Sequence, residues 1–132
     1  MRARTRLAAA LATATLSTVT MAAPAAAHVT TCAVVGPIVV SGGGFEGDLL
    51  GVCADGTRPI RLSGWISGAC GNEIGFGFAD DGVSSHFFVL VGTNGLAWAL
   101  AGQADGALSL LPQGACSESG TTFATHGSLT FL

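Results

Sequence analysis

The sequence has no lysine and no tyrosine, and only 10% of its residues are charged. All five basic residues are arginines, and three of them, Arg2, Arg4 and Arg6, lie at the very start of the chain. Proteins that bind nucleic acids or anionic membrane surfaces present clustered positive charge, and the rest of this chain offers none. The composition therefore predicts that nucleic acid is not a partner.

The sequence also lacks the run of about 20 strongly apolar residues that a membrane-spanning helix needs. The first 27 residues instead have the three parts of a secretory signal: basic residues, an Ala- and Leu-rich run, and small residues at Ala25–Ala27. We predict a signal peptide over 1–27, and a single secreted, extracellular domain over 28–132 with no membrane span. After that cut two arginines would face eight acidic residues, which gives a net charge of −6.

Four cysteines, Cys32, Cys53, Cys70 and Cys116, all lie in the predicted mature domain. Their gaps of 21, 17 and 46 residues do not match the close pairs of a zinc site. An even number of cysteines in a small exported domain is typical of disulfides. Three pairings are possible, and we favour Cys32–Cys53 with Cys70–Cys116 because the first would join two consecutive strands.

Glycine punctuates the chain, and all 20 glycines follow the predicted cut. Asp55-Gly56, Asp81-Gly82, Asn94-Gly95 and Asp105-Gly106 are dipeptides that favour hairpin turns. The segments between the turns alternate with the period of two that is typical of strands. The pattern predicts an all-β domain, an antiparallel β-sandwich or small barrel of about eight strands.

Three of these segments show which side chains share a face. In 58–67, Ile60, Leu62 and Ile66 lie opposite Arg61, Ser63 and Trp65. In 73–80, Ile74, Phe76 and Phe78 lie opposite Glu73, Gly75, Gly77 and Ala79. In 121–132 the shared face is that of Phe123, Thr125, Leu129 and Phe131. Periodicity separates the two faces of each strand.

Residues 84–112 read as a three-stranded meander that Pro112 ends. A tight turn at Asn94-Gly95 would place Val91 opposite Trp98 and Val89 opposite Leu100, on one buried face together with Phe87. Phe88 and Leu90 would then lie on the other face, which is apolar as well. The strand 86–91 is therefore either covered on both sides or exposed for assembly.

The candidate metal ligands or general bases in the sequence are its three histidines, His28, His86 and His126. The "AAA" before His28 and "HGSLTF" at 126–131 resemble the two ends of the histidine brace, a copper site of small periplasmic copper-carrying β-sandwiches and of oxidative polysaccharide-cleaving enzymes. The resemblance implies a copper site made by His28 with His86 or His126. The chain lacks the proline-rich opening, the additional Met or His ligands and the axial tyrosine of those proteins. Our main interpretation is therefore a frayed N-terminal His28 and two histidines, His86 and His126, on the surface of the sheet, with no metal and no cofactor.

The sequence contains no set of residues that identifies an enzyme: no nucleophile elbow, no phosphate-binding loop and no calcium loop. Trp65 shares a face with Arg61 and Ser63, and we expect it to pack under a loop or in the core of a second sheet. The functional alternative is that it stacks on a sugar ring or fills a partner's pocket. We predict a non-catalytic binding module or surface component with an unknown extracellular ligand. The alternatives are the copper protein and a self-assembling surface protein.

Overall fold

The computed structural model describes residues 29–116 and 120–132. The described residues form eight antiparallel strands that close into a barrel, each strand pairing with its neighbours in sequence and the last with the first. The strands are β1 (Thr30–Ser41), β2 (Gly44–Cys53), β3 (Gly56–Ser67), β4 (Ile74–Asp80), β5 (Ser85–Thr93), β6 (Ala97–Gly102), β7 (Ala104–Leu111) and β8 (Thr121–Phe131). The predicted all-β fold is confirmed, and of the two architectures it is the barrel.

Side chains at alternate positions fill the interior of the barrel. Phe45 is buried among other aromatic residues, with its ring centroid 5.3 Å from that of Trp98 and 6.2 Å from that of Phe88. The wall beside Phe45 consists of glycine: a Cβ on Gly64 would lie 2.9 Å from the Phe45 ring, and one on Gly77 would lie 3.0 Å from it. The inward glycines thus leave room for large aromatic residues in a narrow eight-stranded barrel.

Each end of the barrel has one disulfide, and both bonds pair as predicted. At the Cys32 end, where β1 begins, Cys32 and Cys53 face each other on adjacent strands. At the Cys70 end, the Cys70–Cys116 bond joins the β3–β4 loop to the β7–β8 loop, which lie on opposite sides of the barrel. This bond therefore crosses the mouth of the barrel. Its span of 46 residues and the 21 of the other bond constrain the unfolded chain.

Below that crossing lies a buried acid. Glu73, just before β4, is only 2% exposed, and its Oε2 atom has no hydrogen-bond partner in the described part of the chain. Its backbone carbonyl accepts a hydrogen bond from the Gly92 N–H at 2.8 Å. A Cβ on Gly92 would overlap the Glu73 carboxylate, so the glycine makes room for it.

Two predictions of local pairing are wrong. In the β5–β6 hairpin Gly92 pairs with Trp98 and Val91 with Ala99, one residue away from the predicted register. Leu96 adds a third residue to the turn beyond Asn94-Gly95, and its N–H donates to the Thr93 carbonyl. A slip of one residue inverts the faces of a strand. Phe87, Val89 and Val91 therefore point outwards, whereas Phe88 and Leu90 join Trp98 in the core.

The second error concerns Asp105-Gly106, which lies within β7 rather than in a turn. The chain reverses at Gln103 instead, between Gly102 and Ala104. The Asp105 carboxylate accepts a hydrogen bond from the Gly102 N–H across this reversal at 2.5 Å. The Asp105 side chain thus stabilises the turn at Gln103, although the residue itself lies in the strand that follows the turn.

Candidate functional site

The outer wall of the barrel carries a groove of about 540 Å³ over β1 to β4. One side consists of three aromatic side chains: Trp65, which is 62% exposed, with Phe76 and Phe78. Trp65 and Phe76 are directly opposite each other on β3 and β4. We call this feature the aromatic groove.

The rest of the aromatic groove is built from small and polar residues. Gly44 pairs with Trp65 and leaves the space beside the indole open. Ser63 lies between Glu46 and Phe78 in the same cross-strand row. Ser41 and Val39 complete the lining on β1. The groove thus combines a flat aromatic side with hydroxyl groups and a carboxylate.

The carboxylate at the groove is held in place by an arginine. The Arg61 guanidinium donates to Glu46 Oε1 at 3.3 Å and to Asp48 Oδ1 at 2.9 Å. All three side chains are largely exposed, so the ion pairs add little to stability. Their chemical effect is to orient two carboxylates and a guanidinium beside the aromatic surface, where they can accept and donate hydrogen bonds.

The prediction that Trp65 shares a face with Arg61 and Ser63 is confirmed, and that face is the outer one, so the expectation that Trp65 packs under a loop or in a core is wrong. Phe76 and Phe78 were placed on one face of β4, but the pattern did not say that this face is the outer one. The opposite face holds Gly75, Gly77 and Ala79, which is what the crowded interior next to Phe45 requires. A strand with aromatic residues on one face and only small residues on the other is the signal that could have placed these rings outside.

The histidines do not converge in the described part of the chain. His28 lies outside the described residues, so the brace stays a prediction. His126 is exposed on the outer wall, between Val35 and Ser109 of the neighbouring strands. The prediction that His86 also lies on the sheet surface is wrong: it lies at the Cys32 end, on the inward side of β5, in phase with Phe88 and Leu90. No group of three or more His, Cys, Asp or Glu side chains is arranged to hold a metal ion within 29–116 and 120–132.

His86 fixes the β4–β5 loop to the end of the barrel. Its ring lies 4.8 Å from the Phe131 ring, and its Nε2 atom lies 3.2 Å from Asp81 Oδ2 and 3.1 Å from Ser84 Oγ. Both polar contacts use the same nitrogen, whereas a Ser-His-Asp relay needs the serine and the aspartate on opposite ring nitrogens. These three residues therefore form a loop anchor rather than a catalytic triad.

Asp81 is the charged centre of that anchor. Its carboxylate accepts hydrogen bonds from the Val83 and Ser84 N–H groups at 2.9 and 3.0 Å, and Arg58, also paired with Asp55, lies 3.8 Å away. Burial raises the pKa of Asp81, but these backbone hydrogen bonds and the contact with His86 outweigh it and hold the pKa below its ordinary value. Asp81 is therefore ionised at neutral pH and stabilises the loop.

The comparisons with known proteins leave the groove as the main guide to function. The chain matches no protein family, no curated protein and no solved structure. The described residues include no helix with the length and hydropathy needed to cross a bilayer. No residue role can therefore be transferred from a relative.

Proposed function

We propose that this protein is an exported, non-catalytic binding module that holds a sugar ring of an extracellular glycan in the aromatic groove. The observation that carries the proposal is Trp65, a tryptophan more than half exposed on the wall of a barrel whose interior is already filled. An exposed indole costs solubility unless a ligand covers it.

The chemistry of the groove fits a sugar better than a purely apolar ligand. A pyranose ring has an apolar C–H face, which stacks on an aromatic surface, and a rim of hydroxyl groups, which both donate and accept hydrogen bonds. Trp65 and Phe76 supply the surface, and Ser63 and Glu46 of the lining, with Arg61 bonded to Glu46, supply hydrogen-bonding groups for the rim. Ligand sites of this kind combine apolar area with a few fixed polar groups.

Export of the module is supported by two disulfides and by the sequence of residues 1–27. Disulfides form and persist in oxidising compartments, and both bonds here close within one small domain. The negative charge predicted for the mature chain favours a neutral ligand over an acidic polymer. Glycans of neutral sugars, including N-acetylated amino sugars, carry no charge and fit this preference.

The test uses Trp65 itself as the reporter. Soluble hexasaccharides of glucose (β-1,4 and α-1,4) and of N-acetylglucosamine (β-1,4) are titrated while tryptophan emission and its quenching by iodide are followed. Trp98 is buried, so a change in iodide quenching reports on Trp65. We expect at least one hexasaccharide to protect the emission from iodide.

Two variants separate stacking from a general surface effect. Trp65→Ala should weaken binding, followed by calorimetry, by roughly tenfold or more, which corresponds to about 1.4 kcal/mol. Leu50→Ala removes an apolar side chain of similar exposure on β2, outside the groove, and should leave the affinity unchanged. If none of the sugars binds, or if Trp65→Ala binds as the unmodified protein does, the proposal is wrong.

A further inference from the structure

A second apolar feature shares Phe76 and Phe78 with the aromatic groove and extends from them over the outer face of β4 and β5. Its residues form three directly opposed cross-strand pairs: Ile74 with Val91, Phe76 with Val89, and Phe78 with Phe87. Phe87 also contacts both other rings, with centroids 5.6 Å from Phe78 and 6.4 Å from Phe76. We call these six residues the apolar stripe.

The apolar stripe is a ridge without charge. On its β3 side the outward residues opposite the stripe are Ser63, Trp65 and Ser67, and on its β6 side they include Ala99 and Ala101. The stripe therefore stands above the wall on the β6 side and continues into Trp65 of the aromatic groove on the β3 side. The first charged outward residue along β4 is Asp80, whose carboxylate accepts a hydrogen bond from the Gly82 N–H at 2.8 Å.

The area of the stripe is the size of one half of a stable interface. Its members are between 41% (Phe87) and 61% (Ile74) exposed. With roughly 200 Å² for a large apolar residue in full exposure, the six contribute about 600 Å², at the upper end of the range of about 300–600 Å² found for the largest apolar patch of a monomer. Two copies that meet through the stripe would bury about 1,200 Å² in total, the lower end of the range for specific interfaces.

We propose that the apolar stripe is the contact between two copies of this chain, which pack their barrels face to face as a homodimer. A two-fold dimer uses the same patch on both partners, and an uncharged patch is self-complementary in charge. The predicted net negative charge would make two copies repel each other at charged contacts, and an uncharged patch avoids that repulsion. Two outer sheet faces packed in this way resemble the layers of a β-sandwich.

Association through side chains is also what the closed barrel permits. Every strand in the described part of the chain has a partner on both sides, so no edge is left for strand addition. The strand 86–91, whose assembly the sequence suggested, is paired with β4 and β6 and exposes only Phe87, Val89 and Val91. The outcome is therefore a discrete dimer, not a fibril.

The test expresses the full chain, with both disulfides formed, and measures the molar mass of the purified protein by light scattering and sedimentation over a range of concentrations. Val89→Lys places a charge at the centre of the stripe without altering the lining of the groove, and Val35→Lys is the matched control on β1. The unmodified protein and Val35→Lys should be dimers, and Val89→Lys should weaken dimerisation by roughly 100-fold or more, as an unpaired charge does at an interface centre. Circular dichroism checks that both variants fold.

Each outcome decides the proposal. A monomer at roughly 100 μM unmodified protein, where an interface of this size is expected to be occupied, overturns it. A dimer that survives Val89→Lys, or that Val35→Lys disrupts equally, also overturns it, because the contact then lies elsewhere. Sugar binding is measured in the same variants. A Val89→Lys monomer that still binds sugar separates the dimer from the proposed function.

Discussion

The inward glycines predict a specific rescue between two neighbouring strands. Gly51 of β2 faces the interior, and a Cβ at this position would overlap the Cδ1 atom of Ile60 on β3. Ile60 is 1% exposed and packed on all sides. The next neighbours of that Cβ, Ile60 Cγ1 at 3.2 Å and the Arg58 carbonyl oxygen at 3.4 Å, require shifts of only a few tenths of an ångström. The main conflict thus comes from one methyl group.

The magnitudes follow from this geometry. Gly51→Ala overpacks the core, which costs about 1–3 kcal/mol, and restricts the unfolded chain, which returns about 0.5–1 kcal/mol. We expect a net loss of about 1–2 kcal/mol. Ile60→Val removes Cδ1 and should cost about 1 kcal/mol on its own. In the double variant the new methyl occupies the vacated space, so its stability should return to within about 0.5–1 kcal/mol of the unmodified protein.

The assay is urea unfolding of the four proteins with both disulfides intact, followed by far-ultraviolet circular dichroism. The four proteins form a double-mutant cycle. Its interaction energy, the difference between the measured loss of the double variant and the sum of the two single losses, is expected to be about 1–2 kcal/mol in favour of the double variant. Simple additivity of the two losses would refute the reasoning. Gly64→Ala is the contrasting case: its Cβ would overlap the Phe76 carbonyl oxygen and lie 2.7 Å from the Gly77 Cα, so truncating Phe45 to Leu should not rescue it.

Four further outcomes are expected. Replacing Cys70 and Cys116 with serine should lower the free energy of unfolding by roughly 4 kcal/mol in the chain-entropy account, measured by urea unfolding, and an unchanged value would contradict the assigned bond. Asp81→Asn should destabilise the protein at neutral pH, and because the pKa of Asp81 is lowered in the folded state, the difference should fade in melts as the pH falls below the ordinary value of 3.8. Glu73→Met should raise stability by about 1 kcal/mol, since it removes a buried carboxylate oxygen without a partner; a loss would show that the carboxylate is bonded. In Trp65→Phe, iodide should barely quench the remaining indole emission, and strong quenching would mean an open core.

Much of the fold follows from patterns in the sequence. Cys32 and Cys53 were paired because they flank a hairpin, and the structure has them directly opposite on β1 and β2. The inward faces of β3 and β8 follow from alternation, since the large apolar side chains of each strand, other than Trp65, share one side. In each of these strands only one face is apolar enough to be buried, so the alternation alone identifies the inner face.

The errors lie where both faces of a strand are apolar or small. In β5 either face could be buried by its hydropathy, so the register depended on the length of the turn, and Leu96 made that turn one residue longer. In β4 the choice of inner face depends on the space left by Phe45, a residue of another strand. Side-chain volume across the barrel is a tertiary property, and local periodicity does not contain it. The same gap hid Phe76 and Phe78 of the aromatic groove.

The inverted character of β4, with glycines inside and aromatic rings outside, has a consequence for divergence among any descendants of this gene. The outer rings support no core contact that a replacement would break, so their identities can drift and alter what the surface recognises at little cost to folding. Gly75 and Gly77 have no such freedom, because any Cβ there collides with the backbone of β3. Selection would therefore hold one side of the strand constant while the other explores new ligands.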